Sequence, residues 1–504
     1  MGIPSYYKTL CDRVPGLLMK KLPYEPTHFW IDFNCMIYHC IRRPGAPVYT
    51  GEEGRIEWEN IIIEDVCKYL KKLVELVGAE KVFVGVDGVV PMAKIRQQRL
   101  RRFKSCWTVD EEIRIGVRKP DEPRWDTNSI TPGTAFMERL GAALKKIKGS
   151  KWTISAADEP GEGEHKIMKH MRDLKDGVHV VYGLDADLIV LSLLQDKEVW
   201  LFREAMETGV KGASRNIGAE EYSYFSIERL CTYICNGQDS TYKFDYCMGM
   251  SLLGNDFLPH SMSVKLKENG HEILLSMLKE VRGVYGSLCN EGSWKHDALK
   301  ACFKYLASLE TALIENSVFD KISKRYQRTR GSNSNEHTLD EWNKTPLRLC
   351  DEMALISGNH LRTDWRSVYY QRYLGVDNKN DLDAVCKRYL YGLQWICKYY
   401  TGGEIDQKWY FHWYLPPLWS DLMDWMNDGS LFKGPMINLE PIKPQEQLAI
   451  VLPLQSYWLV RDKKLRKLPV EKPQYWPKQF ELFTAGHKQM WECEASIPIL
   501  VLCD

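Results

Sequence analysis

The sequence predicts an α/β fold: a mostly parallel sheet flanked by helices, followed by a mainly helical second region. Three observations predict it. Short apolar runs at residues 28–31, 81–86, 152–156 and 178–184 read as buried parallel strands. Apolar residues at helical spacing fill the intervals, notably 61–77 and 135–147, and strands alternating with helices place helices on both faces of one sheet. After about residue 225 the alternation stops, and long helical patterns follow at 245–253, 272–285 and 298–326. The polar, small-residue stretch 329–335 is the best linker candidate. Beyond it, 364–373 and 382–400 are helical and rich in aromatics. The expected organisation is a first region over 1–325, a linker over 326–340 and a second region over 341–504 that packs over the functional site.

Composition bounds the function. A chain of 504 residues has room for two or three domains, and 44% apolar residues exclude global disorder. The net charge is +1, so a nucleic-acid partner would be held by local basic patches instead of a global field. The 15 cysteines are scattered, and the spacing of Cys231 and Cys235 is too thin for a zinc site, which points to a reduced intracellular protein. No leader and no membrane-spanning run is read in the sequence, and Tyr6 stands where a myristoylation signal needs Ser or Thr. A membrane is therefore not an expected partner.

The acids carry the chemical argument. Asp32 follows the first strand, Asp87 the second, and Asp185 and Asp187 the fourth. In a parallel sheet those C-terminal ends share one edge, and ligands bind there. Glu162 and Glu164 open a helix in a glycine-containing stretch, where negative charge is tolerated, and Asp256 follows an apolar helix. Gathering such acids is costly unless cations neutralise them. Two Mg²⁺ or Mn²⁺ ions roughly 4 Å apart can activate water and stabilise the leaving oxygen of a phosphodiester. Any one of these acids alone reads as a turn residue or a helix cap.

Residues 94–104 add six positive charges and no acid. Lys94, Gln98, Arg101 and Arg102 fall on one helical face close after Asp87, an arrangement suited to a terminal phosphate. Taken alone the run would be an ordinary solvated basic face. A second basic run, 463–467, is a candidate nuclear signal or simply an exposed turn.

Long ordered stretches resemble the XRN-type 5′→3′ exoribonuclease family. They include Met1-Gly2-Ile3-Pro4, Asp32-Phe33-Asn34, Asp87-Gly88-Val89-Val90-Pro91 with the basic run behind it, and Pro160-Gly161-Glu162-Gly163-Glu164-His165-Lys166. Tyr182-Gly183-Leu184-Asp185-Ala186-Asp187 and Gly254-Asn255-Asp256-Phe257-Leu258-Pro259-His260 complete them. The resemblance implies a nuclease core related to the flap-endonuclease/PIN group. It also implies metal carboxylates at Asp32, Asp87, Glu162, Glu164, Asp185, Asp187 and Asp256, and a 5′-monophosphate pocket at Lys94, Gln98, Arg101 and Arg102. The family's base-stacking histidine aligns with Tyr38, with His39 beside it, and its stacking tryptophan with Trp409.

The activity so implied is processive hydrolysis of single-stranded 5′-monophosphorylated RNA to nucleoside 5′-monophosphates, with two Mg²⁺ or Mn²⁺ ions. The setting implied is a cytoplasmic monomer working with decapping or RNA-processing factors. A DNA flap endonuclease shares the acidic edge but not the match through the second region. An inactive RNA-binding scaffold would have lost metal acids, and none is lost.

Overall fold

A computed structural model describes residues 6–502 apart from 176, 184, 205–221, 291, 332 and 428–436. Met1-Gly2-Ile3-Pro4, Leu184 and Ser332 therefore lie outside the described residues. The alternation in the first half builds a seven-stranded sheet. Its strands are β1 (Leu18–Met19), β2 (His28–Asp32), β3 (Lys81–Gly85), β4 (Trp152–Ser155), β5 (Val178–Tyr182), β6 (Glu198–Glu204) and β7 (Tyr222–Ser226), in the spatial order β1-β7-β6-β5-β2-β3-β4. The five strands β2 to β6 run parallel, and β7 and β1 close one edge antiparallel. The four expected strands are all there. β1, β6 and β7 were not legible in advance. β1 has two residues, too few to carry a period, and β7 alternates tyrosine with serine and takes its place by pairing with β6.

The two-residue period of each strand divides the core. Trp30, Phe83 and Val181 face one layer, and Phe29, Ile31, Val82, Val84, Val180 and Tyr182 face the other. The second layer holds the helices Asn34–Arg42, Arg55–Val77 and Ala135–Lys145. The first holds Met92–Arg114, Gly163–Arg172 and Asp187–Leu193, and its apolar core continues without a break into Tyr389, Trp395, Trp419 and Leu448 of the second region.

The helical half is anchored by polar contacts as well. The Trp419–Asn427 helix packs along His296–Lys324, whose buried Glu310 accepts from the Trp419 N–H at 2.6 Å and the Ser420 hydroxyl at 2.8 Å. A carboxylate there satisfies otherwise orphaned N–H groups and complements the helix dipole. Part of the stretch read as a linker is a helix, Ser334–Asn343, capped by the Asn333 side chain. Among the described residues no helix is long and apolar enough to cross a membrane.

Candidate active site

The strand order places the site. The chain moves from β2 outward to β3 and β4, then returns to the other side of β2 for β5 and β6. At such a reversal the loops beyond the strand ends part and leave a crevice. Asp32 ends β2 and is level with Gly85 at the end of β3, while Ile31 is level with Tyr182 at the end of β5. Asp87 and Asp185 lie just beyond β3 and β5, and Asp187 opens the helix that follows β5.

Glu162 and Glu164 reach this edge because two glycines let the Gly163–Arg172 helix approach the sheet. A Cβ on Gly85 would stand 2.7 Å from the Gly163 carbonyl oxygen, and a Cβ on Gly163 would stand 2.8 Å from Asp32 Oδ1. The Gly163 N–H donates to Asp87 Oδ1 at 2.8 Å, and Asn34 Oδ1 accepts from the Asp87 N–H at 3.2 Å. Lys166 Nζ donates to the carbonyls of Val86 and Ala156 at 2.8 and 2.9 Å, which ties the helix to the ends of β3 and β4. Asp256 arrives on a tight turn in which Asn255 Oδ1 accepts from the N–H groups of Phe257 and Leu258.

All seven predicted acids converge here. Burial pushes the Asp32 carboxyl well up, and Asp87, Asp185 and Glu162 push it further. Burial does the same to Glu164, with Glu162 and Asp187 adding, and it also raises Asp87. Asp187 is raised to about 7 by burial and by Asp256. Lys94 is the compensating cation, with Nζ 2.6 Å from Glu162 Oε1 and 2.8 Å from Asp256 Oδ2. Burial alone would lower its pKa, but the surrounding acids outweigh that and raise it well above the usual lysine value. Burial alone would likewise raise Asp256, and Lys94 holds it below the normal carboxylate range.

The site fits a hard divalent cation. Ligand atoms of Glu162, Glu164 and His165 lie within 4.8 Å of one another. Asp187, 4% exposed, keeps Oδ1 buried without a hydrogen-bond partner among the described residues, and so does His165 at Nε2. A buried orphan acceptor among crowded carboxylates is costly unless an ion satisfies it, and an oxygen-rich donor set suits Mg²⁺ or Mn²⁺.

The basic segment is the helix Met92–Arg114, and it has two working faces. Toward the crevice lie Lys94, Gln98, Arg101 and Arg102, as their spacing predicts. Lys94 sits inside the acid cluster. Gln98 Oε1 accepts from Gln447 Nε2 at 3.3 Å, Arg101 is exposed, and Arg102 donates to Thr131 Oγ1 at 2.6 Å. Burial lowers the Arg102 guanidinium to about 10, and the Tyr38 hydroxyl counteracts this. Tyr38 therefore neighbours the predicted phosphate pocket, while its own ring lies 5.0 Å from the Arg42 guanidinium. His39 faces away and stacks on Tyr69 at 4.6 Å.

Trp409 requires a correction. It is 3% exposed and packs on Trp395 at 5.2 Å and Tyr391 at 5.8 Å, against Gly392, where a Cβ would meet its ring. It is a core residue here and presents no free face to a base. The sequence resemblance could not see this, because an aromatic-rich segment supplies core and surface rings alike.

Sequence reasoning missed several groups at the site. Tyr399 OH donates to Glu162 Oε2 at 2.5 Å, and its ring lies 3.8 Å from that of His165. Tyr400 is beside it, close enough to Asp187 and Glu164 for their charges to raise its hydroxyl pKa beyond the effect of burial. Gln447 accepts from the Val90 N–H at 3.0 Å while it donates to Gln98. All three belong to the second region, far in sequence from their partners in the first, and no local pattern announces them.

Two models of one family cover most of this architecture. The XRN 5′-3′ exonuclease N-terminus matches residues 1–205, and the Xrn1 helical domain matches residues 360–501. The chain belongs to the XRN exonuclease family. It is 29% identical to 5′-3′ exoribonuclease 1 of Homo sapiens, over 99% of this chain and 33% of that protein. It is 26% identical to 5′-3′ exoribonuclease 1 of Schizosaccharomyces pombe, over 99% of this chain and 48% of that protein. With the 5′-3′ exoribonuclease 2 homolog of Drosophila melanogaster the identity is 25%, over 99% and 70%. The chain thus spans a third to a half of the length of the first two relatives. The first model ends at the close of β6, and the second takes in the helix that bears Tyr399.

Proposed function

We propose that this chain is a 5′→3′ exoribonuclease that hydrolyses single-stranded, 5′-monophosphorylated RNA processively, releasing nucleoside 5′-monophosphates. One observation supports this above the others. Seven acids and a helix face bearing Gln98, Arg101 and Arg102 meet at the same sheet edge, with Lys94 joining the two sets. An acid cluster alone would suit many phosphodiester reactions. A cationic, amide-bearing face beside it suits a reaction at a chain end, because a terminal monophosphate offers more charge and more acceptors than an internal phosphate.

Two divalent ions, when bound by Asp32, Asp87, Glu162, Glu164, Asp185, Asp187 and Asp256, would supply an activated water and stabilise the leaving oxygen. The protein's own part is placement. Arg101 and Arg102 would hold the terminal phosphate, Gln98 would donate an amide N–H to it, and Tyr38 would stack on a base near that end. Gln447 and Thr131 hold Gln98 and Arg102 in position. A cap enlarges the end and removes the free monophosphate, so the pocket would reject it. The setting that accompanies this reading is cytoplasmic RNA turnover downstream of enzymes that expose 5′-monophosphate ends.

The test is a degradation assay on RNAs with 5′-monophosphate, 5′-triphosphate, 5′-hydroxyl and capped ends, with a DNA flap for comparison. Fast release of nucleoside 5′-monophosphates is expected from the first substrate alone, abolished by EDTA and by the double change Asp185→Ala/Asp187→Ala. Equal rates on 5′-hydroxyl and 5′-monophosphate RNA would remove the end-binding pocket. Preference for the flap would make the protein a DNA endonuclease.

A further inference from the structure

We infer that Tyr399 is a positioning residue of the metal centre, and that through it the second region becomes part of that centre. The inference rests on the reading of the acid cluster as a divalent-cation site.

Glu162 is fixed from two sides. Its Oε1 lies 2.6 Å from Lys94 Nζ, and its Oε2 accepts from the Tyr399 hydroxyl at 2.5 Å. Lys94 is a single charge at the end of a long, flexible stem, a partner that a divalent cation would displace. The tyrosine is not mobile. Its ring is 8% exposed and held between Trp395 at 4.8 Å, Phe257 at 5.2 Å and His165 at 3.8 Å. Phe257 adjoins Asp256 and His165 adjoins Glu164, so one rigid ring borders three arms of the cluster.

A carboxylate at a helix N-cap has free torsions and could turn away from an ion. A hydrogen bond from a fixed donor to one oxygen sets the carboxylate plane and leaves the other oxygen facing the cluster. Such partners of metal-binding carboxylates orient them, and their loss lowers metal affinity. The donor comes from the Lys379–Thr401 helix, far from every acid in the sequence. The first region supplies the acids, and the second fixes the angle of one of them.

Tyr399→Phe keeps the ring and removes only the donor. Direct Mn²⁺ binding, followed by electron paramagnetic resonance of the free ion, is expected to weaken roughly 10-fold or more in this variant. The Mg²⁺ concentration for half-maximal RNA hydrolysis should rise in parallel, while KM for 5′-monophosphate RNA at saturating Mg²⁺ stays at the parent value. In a Glu162→Gln background the same change should do nothing further to Mn²⁺ affinity.

Unchanged Mn²⁺ affinity in Tyr399→Phe would overturn the inference. So would an additional loss in the Glu162→Gln background, or a rise in KM for RNA with no change in metal dependence. Failure of the parent protein to bind Mn²⁺ at all would overturn the metal reading itself, and this inference with it. Should Tyr399→Phe fold poorly, Glu162→Asp supplies the second measurement. It withdraws the carboxylate from the Tyr399 donor while the tyrosine stays, so Mn²⁺ affinity should fall roughly 10-fold or more, and an unchanged affinity would overturn the inference.

Discussion

The two faces of the Met92–Arg114 helix carry the same residue types and do different work. On the crevice face, Arg101 is exposed and Arg102 spends one N–H on Thr131 Oγ1, so both keep donors for a ligand. On the opposite face, Arg99 is fully buried and donates to three backbone carbonyls of the second region, those of Pro498, Ile450 and Tyr475. Its guanidinium also lies over Phe103 at 4.4 Å and Trp476 at 5.5 Å. Arg96 donates to the Trp413 carbonyl at 3.2 Å, and Lys104 to those of Trp491 and Cys493 at 2.8 and 2.5 Å. One face is thus arranged for binding, and the other works as a clamp. Six positive charges in eleven residues read as one basic surface in the sequence, yet three of them close the fold.

Three measurements would break or sharpen this contrast. The largest effect belongs to the clamp. Arg99→Ala takes the donor from three carbonyls, the buried one of Ile450 among them, and opens a hole between two rings, at a cost of about 3–5 kcal/mol. Denaturant unfolding should record that loss. A cost below 1 kcal/mol would mean the second region is held by its apolar core alone. Arg99→Lys should recover only part of it, because an ammonium cannot reproduce the planar fork.

Arg102→Ala comes next and should act on function. Discrimination between 5′-monophosphate and 5′-hydroxyl RNA should fall roughly 10-fold to 100-fold. Stability should change by about 1 kcal/mol, the value of the Thr131 bond. Measuring kcat/KM on both ends together with a melting curve separates the two. A large stability loss with unchanged end preference would make Arg102 part of the clamp.

The smallest effect distinguishes the faces by salt. KM for 5′-monophosphate RNA should rise as ionic strength is raised from 0.05 to 0.2 M, on the scale at which about 10 Å of screening length applies. The unfolding penalty of Arg99→Ala should not move over the same range, since buried groups are screened little. Parallel salt dependence in both would refute the division.

The site shows a similar split in legibility. Asp32, Asp87 and Asp185 were readable because each follows an apolar strand, and parallel strands put their C-terminal ends on one edge. Glu162 and Glu164 were readable as the start of a helix, and the pair Gly85 and Gly163 explains how that helix gets close enough. Tyr38 lies near Arg102, beside the face that the basic run was expected to present. Tyr399, Tyr400 and Gln447 were not readable, and Trp409 was misplaced. The contacts of Tyr399, Tyr400 and Gln447 join the two halves of the chain, whereas those of Trp409 lie within the second region, and a buried aromatic looks the same in sequence whether it faces a core or a ligand.

By itself, the sequence determined the parallel sheet, its acidic edge and the cationic helix behind β3, because these follow from local period and the geometry of strand ends. Tertiary structure alone decided which face of that helix binds and which clamps. It also decided that Lys94 sits among the acids, and that a tyrosine from the second region fixes Glu162. Those outcomes depend on which groups are buried together, and burial is a property of the packed chain rather than of any segment in it.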